Sequence, residues 1–116
     1  FEASFGTSRA RFDYYAQKRL QNAHLQNNAP TYGWVKEAVG VTNVLLNKDL
    51  DRQIETPLLL CQASRDTVVC LPEQNQFVSL LPHAELRAFD AKHEIYMSSN
   101  DIMREYVPAV IGFLKG

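Results

Sequence analysis

Two kinds of hydrophobic pattern divide the chain. Over roughly the first 50 residues the apolar positions recur at helical spacing. Phe12, Tyr15, Ala16 and Leu20 fall on one face of a first helix spanning 8–23. Thr7 or Ser8 is placed to cap it, since a hydroxyl oxygen there accepts from a free amide of the first turn. The polar linker Gln26-Asn27-Asn28-Ala29-Pro30 is turn chemistry. Thr31 then predicts the N-cap of a longer helix over 31–48, with Val35, Ala38, Val39, Thr42, Leu45 and Leu46 on one stripe. Gly40 within it costs about 1 kcal/mol against Ala, which predicts a bend or a close contact there.

After Pro57 the pattern changes. Leu58-Leu59-Leu60-Cys61 is a continuous apolar run bounded by turn signals, as a strand over 57–63 would show if buried on both faces of a parallel sheet. Pro72 suits the first turn of a helix over about 72–81, with Phe77, Leu80 and Leu81 inward and Pro82 as its stop. Ala84 to Phe89 predicts a second strand. Ser99 or Asn100 caps a last helix whose stripe is Ile102, Met103, Tyr106, Val107, Val110, Ile111 and Leu114. Pro108 should kink that helix, because its ring clashes with the carbonyl of Arg104. The order is helix, helix, then strand-helix-strand-helix. The expected fold class is α/β with parallel strands, a helical part over 1–50 and an α/β part over 51–116.

Composition narrows the functional classes. A net charge of −1 with scattered Lys and Arg gives no electrostatic footprint for nucleic acid. No apolar run reaches the ~18 residues of a membrane span. Cys61 and Cys70 are too few for a disulfide framework and lack the spacing of a zinc site; Cys61 reads as a reduced thiol in an apolar strand. The sequence opens on Phe1 with no basic or apolar leader, so the expectation is a piece of a longer gene product.

The chemistry gathers on two loops. In open α/β sheets functional groups collect beyond the carboxyl ends of the strands. The first strand runs into Ser64-Arg65-Asp66-Thr67-Val68-Val69, and the second into Asp90-Ala91-Lys92-His93-Glu94. Asp66 and His93 therefore emerge at one edge of neighbouring strands. Acyl transfer needs this pair: a His to accept the proton of a Ser hydroxyl, and a carboxylate to fix its tautomer and stabilise the imidazolium. The order acid, then His, is that of the α/β-hydrolases, where Ser precedes both. His24 reads as a solvated residue near the end of a helix, and His83 as a surface turn residue. Glu94 is either an orienting carboxylate behind His93 or an exposed loop residue. It does not form a zinc helix with His93, because Met97 stands where a second His would be needed.

Three stretches carry a resemblance that covers nearly the whole chain: Pro30-Thr31-Tyr32-Gly33-Trp34-Val35-Lys36-Glu37-Ala38, Ser64-Arg65-Asp66-Thr67-Val68-Val69, and Ala91-Lys92-His93-Glu94-Ile95. Together they resemble the bacterial lysophospholipases, relatives of the monoacylglycerol lipases among the serine α/β-hydrolases. The resemblance implies the C-terminal half of such an enzyme, with cap-derived and connecting helices over 1–50 and the hydrolase core over 51–116. It implies Asp66 as acid and His93 as base, a lipid ester as substrate, no cofactor and no metal. It also implies a cytoplasmic protein whose contact with the inner membrane is peripheral at most. Tyr32 and Trp34, and less so Tyr14 and Tyr15, are candidates to line an acyl-binding cap, with helix packing as the alternative.

One departure is plain. No Gly-x-Ser-x-Gly occurs, and Ser4, Ser8, Ser64, Ser79, Ser98 and Ser99 all lack that context. The chain alone is therefore expected to be inactive. Other hydrolases of small esters or epoxides, and a non-catalytic α/β interaction module, remain open alternatives. Because the first strand expects a neighbour on both sides, the chain is also expected to associate with itself through that edge or through its helices.

Overall fold

Two parallel strands organise the chain. The computed structural model describes residues 1–27, 29–46, 49 and 53–116. In chain order the elements are α1 (Arg9–Leu20), a 3₁₀ turn at Ala23–Leu25, α2 (Tyr32–Leu45), β1 (Leu58–Ala63), α3 (Leu71–Ser79), β2 (Ala84–Phe89), a 3₁₀ turn at Ile95–Met97 and α4 (Asn100–Lys115). β1 pairs with β2 in register from Leu58 opposite Ala84 to Ala63 opposite Phe89. This is a mixed helix and strand architecture with a parallel sheet, as part of an α/β fold would have. The boundary at 50/51, the end of the second expected helix at 48 and Asn28 of the linker lie outside the described residues.

Local chemistry accounts for most element ends. Ser8 caps α1 by accepting from the Arg11 amide, and Thr31 caps α2 by accepting from the Trp34 amide at 3.2 Å. His24 falls in the 3₁₀ turn after α1, exposed, and His83 is exposed in the turn before β2. Pro72 sits in the first turn of α3, where its missing N–H costs nothing. Ser99 is the N-cap residue of α4, but its side chain makes no capping bond; its own amide is taken by Thr7 Oγ1 at 3.2 Å. Pro108 does not end α4, which continues for two more turns beyond it.

The core lies under the carboxyl ends of the strands. Ala63, Phe89, Ala91, Ile95 and Ala109 are buried together, with Cys61, Ile102 and Tyr106 packed against them. Phe89 and Tyr106 meet edge-on, ring centroids 5.5 Å apart. The face that α4 turns inward is therefore Ile102, Tyr106, Ala109 and Phe113. This corrects the expected stripe, of which Val107, Ile111 and Leu114 are exposed. The stripe predicted for α2 is likewise open: Val35 and Val39 are exposed, and nothing stands within 4 Å of where a Gly40 side chain would begin. β1 is only half-buried over Leu58–Cys61 and becomes buried at Gln62 and Ala63. The physical reason is that, among the described residues, β1 has a single neighbouring strand. Buried Gln62 is satisfied by Gln74 and Asn75 of α3, at 3.0 and 3.1 Å.

Phe89 joins the sheet to α4 and is the largest side chain in this core. Phe89→Ala should cost about 3–5 kcal/mol of unfolding free energy, read from urea denaturation, whereas Val107→Ala on the open face of α4 should cost well under half of that.

Candidate active site

The strand register brings the acid and histidine loops together. Past the last sheet pair the two chains stay joined: the Ser64 amide donates to Phe89 O at 2.9 Å and the Arg65 amide to Ala91 O at 3.0 Å. A turn closed by the Asp66 amide on Ala63 O, at 3.1 Å, then directs the Asp66 side chain back across the strand ends. His93 follows β2 by four residues and meets it. His93 Nδ1 lies 2.8 Å from Asp66 Oδ2, within the ~3 Å that a direct hydrogen bond requires.

The two groups sit in different surroundings. The Asp66 side chain is 4% exposed, that of His93 36%. Burial by itself pushes the Asp66 carboxyl up, but the Val68 amide, the His93 ring and the Val69 amide outweigh it and hold the group below the usual carboxylate range. Oδ1 accepts from the Val68 and Val69 amides at 2.8 and 3.2 Å, leaving Oδ2 to His93. An ionised carboxylate can only accept. Nδ1 therefore carries the hydrogen, and in the neutral ring Nε2 carries the lone pair. Among the described residues nothing hydrogen-bonds Nε2, and no serine hydroxyl reaches it. A half-exposed imidazole nitrogen with no hydrogen-bond partner, backed by a buried carboxylate, has the geometry that general-base chemistry requires.

Other residues hold the loops. Arg65 reaches from the acid loop to Asp90, with Nε at 2.7 Å from the carboxylate and Nη2 donating to the Asp90 carbonyl at 2.8 Å. Both side chains are more than half exposed, so the ion pair itself contributes little; the bond to the main chain is what fixes loop against loop. Glu94 accepts from the Tyr96 hydroxyl at 3.2 Å and does not bond the imidazole. Burial and the adjacent Glu94 both push the Tyr96 hydroxyl up, keeping it protonated as the donor.

The candidate cap residues are not brought to this pair. Tyr32 is 97% exposed and Trp34 64% exposed, on the first turn of α2. Beside the acid loop there is instead an apolar cavity of about 500 Å³, walled by Val39, Leu45, Leu60, Val68, Val69 and Phe77 among others, with neither Tyr32 nor Trp34 in its lining. Tyr14 and Tyr15 line a separate cavity with Arg11, Tyr96 and Asn100. Phe5, whose ring meets that of His93 edge-on at 6.0 Å, and Lys92, whose Nζ donates to Ser4 O at 3.1 Å, carry no signal of these contacts in the sequence. Cys61 and Cys70 are free thiols, the first pushed up by burial and the second exposed. No three His, Cys, Asp or Glu side chains cluster as a metal site among the described residues, and no described helix is long and apolar enough to cross a membrane.

Comparison with family models, with curated proteins and with solved structures finds no match for the chain. The site's own electrostatics supply the check. Because the folded-state Asp66 carboxyl titrates below its unfolded value, it contributes stability that is fully present above the unfolded value of about 3.9 and is lost as pH falls through the lower folded value. In urea denaturation the chain should exceed its Asp66→Asn variant in stability at neutral pH, and the difference should shrink below about pH 4. A difference independent of pH would mean that the fold does not favour the charged carboxylate.

Proposed function

We propose that this chain carries the acid and base of a serine ester hydrolase, whose nucleophile and oxyanion donors come from residues beyond these 116. The observation that carries the reading is the 2.8 Å contact of His93 Nδ1 with the buried Asp66 carboxylate, made by loops that follow adjacent parallel strands. In the proposed reaction a serine Oγ attacks the ester carbonyl and Nε2 of His93 takes the hydroxyl proton. The imidazolium, held by Asp66, returns that proton to the departing alcohol oxygen as the ester C–O bond breaks. Water then attacks the acyl-enzyme, again giving its proton to Nε2, and the fatty acid leaves with the serine hydroxyl restored. No step uses a cofactor or a metal.

The substrate class is a carboxylic ester of a long acyl chain, a lysophospholipid or monoacylglycerol. Two things support it: the resemblance of the Pro30–Ala38, Ser64–Val69 and Ala91–Ile95 stretches to lysophospholipases, and the apolar cavity beside the acid loop. The α/β-hydrolase assignment is part of the same proposal. The open edge of β1, half-buried where such a sheet would continue, is where the preceding strands would pair in the whole enzyme. In their absence a second copy of the chain would dock there.

The full-length gene product, treated with a fluorophosphonate, should label on a serine upstream of Phe1 and should release fatty acid from a lysophospholipid. His93→Ala should abolish labelling at short times. Asp66→Asn should lower turnover by ~10⁴-fold with the fold intact, by analogy with the triad acid of a serine protease. Labelling that ignores His93, or Asp66→Asn turnover near the wild-type rate, would refute the assignment.

A further inference from the structure

Residues 4–8 lie ahead of α1 with no regular structure of their own, yet they are bonded along the histidine loop and the turn that follows it. Lys92 Nζ donates to Ser4 O at 3.1 Å, and the Glu94 amide donates to Phe5 O at 3.0 Å. The Thr7 and Ser8 amides donate to Met97 O at 3.1 and 2.9 Å. Between them Gly6 is buried against Met97. A Cβ on Gly6 would stand 2.7 Å from Met97 Cβ and 2.9 Å from its carbonyl oxygen, so this approach requires glycine. The two residues flanking His93 are therefore both tied to this strap. Between those ties Phe5 packs against the imidazole itself, ring centroids 6.0 Å apart and planes at 78°.

The main-chain bonds would fix the loop without any aromatic side chain at position 5. Phe5 is 46% exposed, so core burial does not account for its placement. Asp66 holds one nitrogen of the His93 ring, and a single hydrogen bond leaves the ring free to pivot about it. A second contact, made to the ring rather than to Nδ1, removes that freedom and fixes where Nε2 points. For a general base this matters, because proton transfer falls off steeply when the accepting atom is displaced. Edge-on aromatic pairs at this separation stabilise one ring orientation over others.

We propose that Phe5 is a positioning residue for His93, held by the Ser4–Ser8 strap so that its ring fixes the orientation of the imidazole over Asp66. The proposal rests on the reading of His93 as the base.

The test follows the His93 Nδ1 hydrogen by NMR in the ¹⁵N-labelled chain. In Phe5→Ala its exchange with water should quicken by about three- to tenfold, with the thermal melt lowered by only a few degrees because the lost ring is half exposed. Phe5→Tyr, which keeps the aromatic face, should restore the slow rate. Gly6→Ala, which forces the strap off Met97, should quicken exchange as Phe5→Ala does. A wild-type rate in Phe5→Ala, with the Nδ1 hydrogen still dependent on Asp66, would reduce the strap to a structural tie and overturn the proposal alone. Absence of an Asp66-dependent Nδ1 hydrogen in the wild type would instead overturn the base assignment, and the proposal with it.

Discussion

The pairing of Ala63 with Phe89 at the carboxyl ends of β1 and β2 is the constraint on which the rest depends. Parallel strands place their following loops at one edge, and this register brings those loops level, so that the Arg65 amide reaches Ala91 O and the Asp66 side chain reaches His93. Among the described residues a buried core gathers at the same strand ends. Ala63, Phe89, Ala91 and Ile95 pack on Ala109 of α4 directly behind the two loops. Small residues at Ala63, Ala91 and Ala109 let the strands, the histidine loop and α4 approach closely, while Phe89 fills the space between them and Tyr106. The loops are thus seated on a close-packed base, as a site that must hold two side chains within hydrogen-bonding distance requires.

Electrostatics then divides the labour between the two groups. Asp66 is buried, which alone would favour its neutral form, yet two backbone amides and the imidazole supply enough stabilisation to keep it charged. Both amides come from the loop's own next residues, Val68 and Val69, so the acid loop carries counter-dipoles of its own beside the contribution of His93. With Oδ1 occupied by those amides, Oδ2 is directed at His93. His93 remains half exposed with Nε2 unengaged. The buried partner is fixed and charged, and the exposed partner carries the nitrogen that accepts the proton in the proposed reaction.

Much of this was legible in the sequence, for physical reasons. The apolar run Leu58–Cys61, the Pro72 helix start and the Ala84–Phe89 strand locate both strand ends, and the first Asp and His past those ends are the residues found in contact. The helices were legible as elements but not as surfaces. Val107, Ile111 and Leu114 match an amphipathic period as well as Ala109 does, and only the position of the sheet decides which side of α4 is covered. The same holds for Val35 and Val39 of α2, whose period is right and whose side chains are exposed. Pro108, read as a kink rather than a stop, lies inside α4, which runs on to Lys115. The strap at residues 4–8 could not be read from periodicity, since it has none and its bonds are mostly main chain to main chain across some ninety positions. Its one sequence signal is Gly6, a glycine outside any expected turn, which marks a close approach rather than a bend.

The central claim is that Asp66 sets the tautomer of His93, and the ¹⁵N chemical shifts of the His93 ring read that directly in the chain itself. At a pH where the imidazole is neutral, the account predicts a protonated Nδ1 and an unprotonated Nε2, with the preference lost or reversed in Asp66→Asn. A wild-type ring protonated on Nε2, or a tautomer that does not respond to Asp66→Asn, would contradict it.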